Sequence, residues 1–293
     1  MRKIDRFIEP IVKQTERSIL QTYARRLRGV QSSLARVFAK YEQDGKLTYD
    51  EMAKYNRLQS MEKEILDEVR QLHRDGGRQI RSAMREVYRE SYYRTGWALE
   101  TSTRAKLGYS YVKPDVVNAV LQNPMTGLTL NERLSRNRAQ TLIRIKEQLT
   151  RGLIEGESYR KMSSRIKDVV EKDTYSAMRI VRTESTRAYN TGMFDSVEHA
   201  SERGLVMVKR WISSGDDDRT RDSHLDLDGQ EVPIGEEFKI HGHSALYPGD
   251  FGVAEEDINC RCTVAYEVVS IDKPEDDSLS GMKYDDWKRN RLY

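Results

Sequence analysis

Apolar residues recur every three or four positions from the start of the chain, at Ile4, Ile8, Ile11, Ile19, Leu27, Val30, Leu34, Val37 and Tyr41. This period places one apolar stripe along a long helix. Asp44-Gly45-Lys46 is a turn signal that ends it. Thr48, with Glu51 three residues on, has the form of a capping box. A second helical pattern follows through Met52, Tyr55, Leu58, Ile65, Val69 and Leu72, and Gly76-Gly77 is expected to interrupt it. The stripe resumes at Ile80, Met84, Val87 and Tyr88. Two long antiparallel helices joined by a short turn fit this pattern. The near-heptad spacing is also compatible with self-association.

Further along, Pro114 suits the first turn of a short helix and Pro124 its end. A helical run over roughly 130–150 is broken at Gly152 and Gly156 and resumes at Ser158. Asp173 is placed to cap a final helix, which carries Met178, Val181, Ala188, Met193, Phe194 and Val197 and stops before Gly204. The pattern then changes. Residues 205–211, 231–234 and 261–268 read as strands, with Asp228-Gly229 as a hairpin turn signal. The long loop 235–258 calls for an anchor or a function. Acidic residues 272–278 read as a flexible tail, with Tyr284, Trp287, Leu292 and Tyr293 as residues that could dock on a partner. The fold class is therefore α+β: an elongated α-helical N-terminal region followed by a small mixed C-terminal module.

The composition adds three points. A mean hydropathy of −0.78 with 33% charged residues suits long solvated helices, which need only a narrow apolar stripe. No apolar run approaches the roughly 20 residues of a membrane span, and the N-terminus lacks the apolar core of a signal peptide, so a cytoplasmic location in the producing cell is expected. Charge is uneven. Residues 1–150 hold 29 Lys and Arg against 18 Asp and Glu, whereas residues 151–293 hold 21 against 29. The basic half is either a set of solvated helix faces or a surface for nucleic acid or an acidic partner.

The candidate chemistry gathers between Trp211 and Cys262. Cys260 and Cys262 are the only cysteines of the chain. Alternation along a strand would put both on one face, where both thiolates can reach one ion. His224 supplies a third ligand and Asp217 a carboxylate to complete a tetrahedral zinc shell, with His241 and His243 as rival ligands. The alternative is a pair of small buried core cysteines. Asp216, Asp217 and Asp218 beside His224 also admit a metal-dependent nuclease or hydrolase, with Arg219 and Arg221 on phosphate. Against this, the acids form a turn, the arginines pair with carboxylates, and no nucleophile–base–orienter set is legible, so no catalytic residue is assigned. Glu184 is expected to pair with Arg219 or Arg221.

The ordered set Arg182-Thr183-Glu184, Asn190, Trp211, Asp217-x-Arg219-Thr220-Arg221-x-x-His224, Gly229, Phe238, Pro248-Gly249-Asp250 and Asn259-Cys260-Arg261-Cys262 resembles the phage-Mu-F-like head morphogenesis proteins, the minor head proteins of tailed bacteriophages. The resemblance covers about residues 125–270. It divides the chain into a long-helix region, 1–124, the module, 125–270, and an acidic tail, 271–293. It implies a structural component of the virion, present in few copies inside the head. The implied partners are the portal protein during procapsid assembly, the major capsid or scaffolding protein, and double-stranded DNA without sequence preference during packaging or ejection. Some relatives carry the module beside a toxin domain such as an ADP-ribosyltransferase. The roughly thirty residues after Cys262 are too few for such a domain, and no enzymatic activity is expected.

Overall fold

The computed structural model describes residues 2–124, 127–215 and 220–292. The described chain is mainly helical, with a few short antiparallel strands near its C-terminal end. No described helix is long and apolar enough to cross a membrane. The chain forms two compact units: Gln14–Arg81 with Asn131–Ile180, and Met1–Lys13 with Ser82–Leu130 and Val181–Tyr293.

In the first unit, the stripe read from the sequence is the buried face. Ile19, Val30 and Leu34 of α1 (Arg2–Tyr41) and Ile65, Val69 and Leu72 of α3 (Arg57–Thr103) are all buried. Side chains tie the two helices in antiparallel register. Arg36 meets Glu64, Arg26 meets Glu68 and Asp75, and Gln79 donates to Thr22, so positions descend on α1 as they rise on α3. Asp44 and Gly45 turn the chain through left-handed backbone, φ 51° and 73°, closed by paired bonds between Gln43 and Lys46. Thr48 caps the short α2 (Tyr49–Ala53) by accepting from the Glu51 amide. The Glu51 carboxylate turns to Lys54 and Arg57, so only half of the capping box forms.

Three local expectations are corrected here. Tyr55 is not on a helix: with Asn56 it adopts positive φ between α2 and α3 and is exposed. Gly76-Gly77 does not interrupt α3, which runs unbroken for 47 residues. A glycine costs a helix only about 1 kcal/mol, less than burying Leu72 and Ile80 on one continuous stripe returns. Asp173 caps nothing. It lies inside α6 (Tyr159–Ser201), buried, 3.1 Å from His73 Nε2 and accepting from Asn137 of α5 (Leu130–Ile154) at 2.6 Å.

The second unit contains the sheet. Strand β1 (Leu205–Ile212) lies between β2 (Glu231–Pro233) and β5 (Thr263–Ile271), antiparallel to both. A bulge sits between Val206 and Met207. Alternation along β1 turns Leu205, Met207, Lys209 and Trp211 inward. Lys209 is accommodated there by donating to the Leu246 carbonyl at 2.8 Å and lying over the rings of Phe194 and Phe238. Burial lowers its pKa to about 8. The presumed loop 235–258 contains the hairpin β3 (Phe238–Ile240) and β4 (His243–Ala245) and the short α8 (Ala254–Asp257). Gly192 allows α6 to approach α3 closely, since a Cβ there would lie 2.5 Å from the Tyr88 carbonyl oxygen.

The acidic stretch is pinned rather than free. Lys106 pairs with Asp276, and Arg104 with Glu275 and Asp277. Beyond it, α9 (Tyr284–Leu292) docks on its own chain: Trp287 is fully buried among Tyr109, Leu107 and Met207 and donates to Glu100 at 2.7 Å.

Candidate metal centre

The site is built on three short pieces of irregular backbone held against α6. The first is α7 (Asp222–Asp226), whose opening turn, His224 N–H to Arg221 carbonyl at 3.0 Å, drives His224 into the interior. The second is α8, and the third is the segment Asn259–Cys262 that leads into β5. The cysteines therefore precede the strand. They come together not by strand alternation but through a left-handed Asn259, φ 59°, and a bond from the Cys260 amide to the Asp257 carbonyl.

His224, Cys260 and Cys262 are all buried, with their ligand atoms within 4.8 Å of one another. His224 Nδ1 is 3.5 Å from Cys260 Sγ and 3.4 Å from Cys262 Sγ. Zinc bond lengths of about 2.05 Å to nitrogen and about 2.3 Å to sulfur, at a tetrahedral angle, put N and S about 3.6 Å apart. The spacing thus suits one small ion shared by the three atoms. The Cys260 thiol hydrogen-bonds the Cys262 sulfur and His224 lies beside it, which together hold Cys262 down to about 5. The same pairing, with burial, pushes Cys260 up. Both sulfurs would bind an ion as thiolates, so metal binding would release thiol protons.

His224 is fixed on its other side too. Nε2 is 3.0 Å from the Glu256 carboxylate, and Ser223 donates to the same oxygen at 3.1 Å. Trp211 meets the ring edge-on at 5.5 Å, and Phe251 lies 6.0 Å away. His241 and His243 stand outside this cluster: His241 is exposed, and His243 faces Glu255 at 3.3 Å. Asp217 and Arg219 lie outside the described residues.

The other residues singled out in the sequence fasten backbone. Asn190 on α6 donates to the carbonyls of Pro248 and Cys262, both at 3.1 Å, and accepts from Thr263 at 3.0 Å. Thr183 accepts the Asn259 amide at 3.0 Å. Arg221 donates to the Ile258 carbonyl at 2.5 Å, and Thr220 bonds Ser214 at 2.9 Å. Glu184 is buried and pairs with Arg187 at 3.5 Å, and Arg187 also donates to the Val120 and Asn123 carbonyls. Arg182 is exposed on α6 and lines a cleft of about 1060 Å³ that also reaches Arg221, Arg261 and Cys262.

Glu256 and Asp257 were not legible as site residues. In sequence they belong to an acidic run, Glu255-Glu256-Asp257, of the kind that usually faces solvent. Only the helical turn of α8 separates their roles. Asp257 turns to accept the amides of Phe251 and Gly252, and its pKa is pushed up to about 6 by burial.

Residues 143–265 match the profile of a family described as Phage Mu protein F like protein. The chain is similar to the minor head protein GP7 of Bacillus phage SPP1, 30% identical over 91% of this chain and 86% of that protein. It is also similar to the NAD(+)–arginine ADP-ribosyltransferase EFV of Enterococcus faecalis, 35% identical over 69% of this chain but only 43% of that protein. An uncharacterized protein YqbB of Bacillus subtilis is 28% identical over 41% of the chain and 40% of its own length. No solved structure matches.

Proposed function

Because this chain belongs to the phage Mu protein F like family, we propose that it acts in head morphogenesis as a minor capsid protein of a tailed bacteriophage. The observation that carries this reading is the similarity to a minor head protein along nearly the whole of both chains. In this reading the protein is made in the host cytoplasm and carried into the interior of the head. Its partners are the portal protein and the major capsid or scaffolding protein. Mass spectrometry of purified particles tests this. The protein is expected in wild-type heads and depleted from heads assembled without the portal; equal amounts in both would remove the portal from the reading.

The Lys and Arg surplus of residues 1–150 supports contact with double-stranded DNA. Such binding is expected to be indifferent to sequence and to weaken steeply with salt as counterions are released. Charge-neutralising substitutions on exposed arginines of that half should reduce it, and the same number placed after residue 150 should not.

Zinc held by His224, Cys260 and Cys262 serves, in this reading, to clasp irregular backbone. It is structural rather than catalytic, and the protein turns over no substrate. The ADP-ribosyltransferase similarity covers less than half of that protein, and the matched portion carries no activity by itself in this proposal. The competing nuclease or hydrolase reading, through Asp217, His224 and the two cysteines, draws on Cys262 lining the cleft. Incubating the protein with DNA, RNA and NAD, with and without zinc, magnesium or manganese, separates the two. Intact substrates support the structural role; cleavage lost in His224→Ala supports the enzyme.

A further inference from the structure

We propose that Glu256 is the positioning carboxylate of the His224–Cys260–Cys262 centre, fixing the tautomer in which His224 presents Nδ1 to the ion. This rests on the zinc reading above and adds to it a residue that no metal-ligand pattern in the sequence includes.

A neutral imidazole carries one N–H and one lone pair, and the partner of one nitrogen decides which it holds. An ionised carboxylate only accepts. With Glu256 3.0 Å from Nε2, the proton belongs on Nε2 and the lone pair on Nδ1. Nδ1 is the nitrogen that lies 3.4 and 3.5 Å from the two sulfurs. Both ends of the ring are therefore committed, one to the carboxylate and one to the position an ion would take. A carboxylate behind a ligating histidine also raises the basicity of the ligand nitrogen.

The three acids of α8 divide their tasks. Glu255 is mostly exposed and faces His243. Asp257 is occupied by two backbone amides. Glu256 is buried, and it shares one oxygen between His224 and Ser223. Burying a carboxylate is costly unless it is paired and hydrogen-bonded. The serine hydroxyl, the imidazole and the exposed His241, 4.0 Å from the other oxygen, compensate it poorly. A divalent ion beyond the ring supplies the positive charge that makes the arrangement reasonable. Cys262 lines the neighbouring cleft, which gives the ion a route in.

The test uses the full chain, loaded with Zn²⁺ and titrated against a chromophoric chelator, then loaded with Co²⁺ for its absorption spectrum. Wild type is expected to hold about one ion per chain with a cobalt–thiolate spectrum. Glu256→Ala should bind roughly 10–100-fold more weakly and with an altered spectrum. Glu256→Gln, whose amide oxygen still accepts from Nε2, should recover most of the affinity. Nitrogen NMR of wild type gives a readout independent of any variant's folding, with Nε2 of His224 protonated and Nδ1 metal-bound. Glu256→Ala binding as wild type does, or metal on Nε2, overturns the role of Glu256 and leaves the zinc centre standing. Wild type that binds neither Zn²⁺ nor Co²⁺ overturns both.

Discussion

In the unit formed by Gln14–Arg81 and Asn131–Ile180, helices satisfy their own backbone and the side chains are free to form a stripe. Ile19, Val30, Leu34, Ile65, Val69 and Leu72 fill the interior, and the buried polar residues there include one cluster on Asp173. The sheet-bearing unit differs. Its strands β2, β3 and β4 are three residues each, so much of its backbone lies outside any ladder. Buried backbone groups must still be paired. Asn190, Thr183, Arg187, Lys209, Arg221, Asp250 and Asp257 supply those partners. A helical interior is specified by a period, and an irregular one by individual polar side chains. This explains why residues that look like a catalytic constellation in sequence are mostly fasteners.

The largest expected effect is that of metal. If the ion clasps the module, stripping it with a chelator should lower the melting temperature markedly, because structural zinc contributes its binding energy to folding. The loss should be absent in His224→Ala. A chelator-insensitive wild type would place the two units on the same footing. Next comes Trp211→Ala, which removes a fully buried ring from between His224, Phe238 and Phe251. It should cost about 3–5 kcal/mol in denaturant unfolding, near the top of the range of about 2–5 kcal/mol for Leu72→Ala in the helical unit. A much smaller loss at Trp211 would mean that the module collapses around cavities that helices cannot close.

Ion pairs sharpen the contrast further. Glu184→Ala strands the buried Arg187 guanidinium and should cost about 3–5 kcal/mol. Asn190→Ala leaves two carbonyls without their donor and should cost about 1–3 kcal/mol. Glu64→Ala, at the exposed end of the Arg36 pair in the helical unit, should stay within about 1 kcal/mol. A further contrast is one of pH. Burial raises Asp195 to about 6, although Tyr88 donates to it at 2.6 Å. A folded pKa above the unfolded one means that the native state takes up the proton more readily. Stability from this group is present below pH 4 and is lost as pH rises through 6. Asp195→Asn should therefore gain over wild type above pH 6 and match it near pH 4. Parallel melting curves across that window would show that Asp195 titrates normally.

The sequence made the helical stripe and β1 legible because each has a period. It misread Gly76-Gly77 and Asp173, where local propensity was outweighed by packing over a long helix. It drew His224, Cys260 and Cys262 together for an imperfect reason, since the cysteines lie on a turn that precedes the strand. Glu256 had no sequence signal at all. One helical turn buries it while leaving Glu255 in solvent, and a run of three acids does not show which will turn inward. The pairing of Trp287 with Glu100, 187 residues apart, was equally hidden, and the terminal aromatics were read as facing a partner.

Both thiols of the chain are buried in one unit, and the other unit has none. A thiol reagent too bulky for the cleft beside Cys262 therefore reacts only when that unit opens. Its rate is a stopwatch for the opening, run without any engineered label. The helical unit contributes no signal. In an assembled particle the same clock would run at whatever pace the surroundings permit. The difference between free and assembled protein would then report, in units of time, how firmly the module is held there.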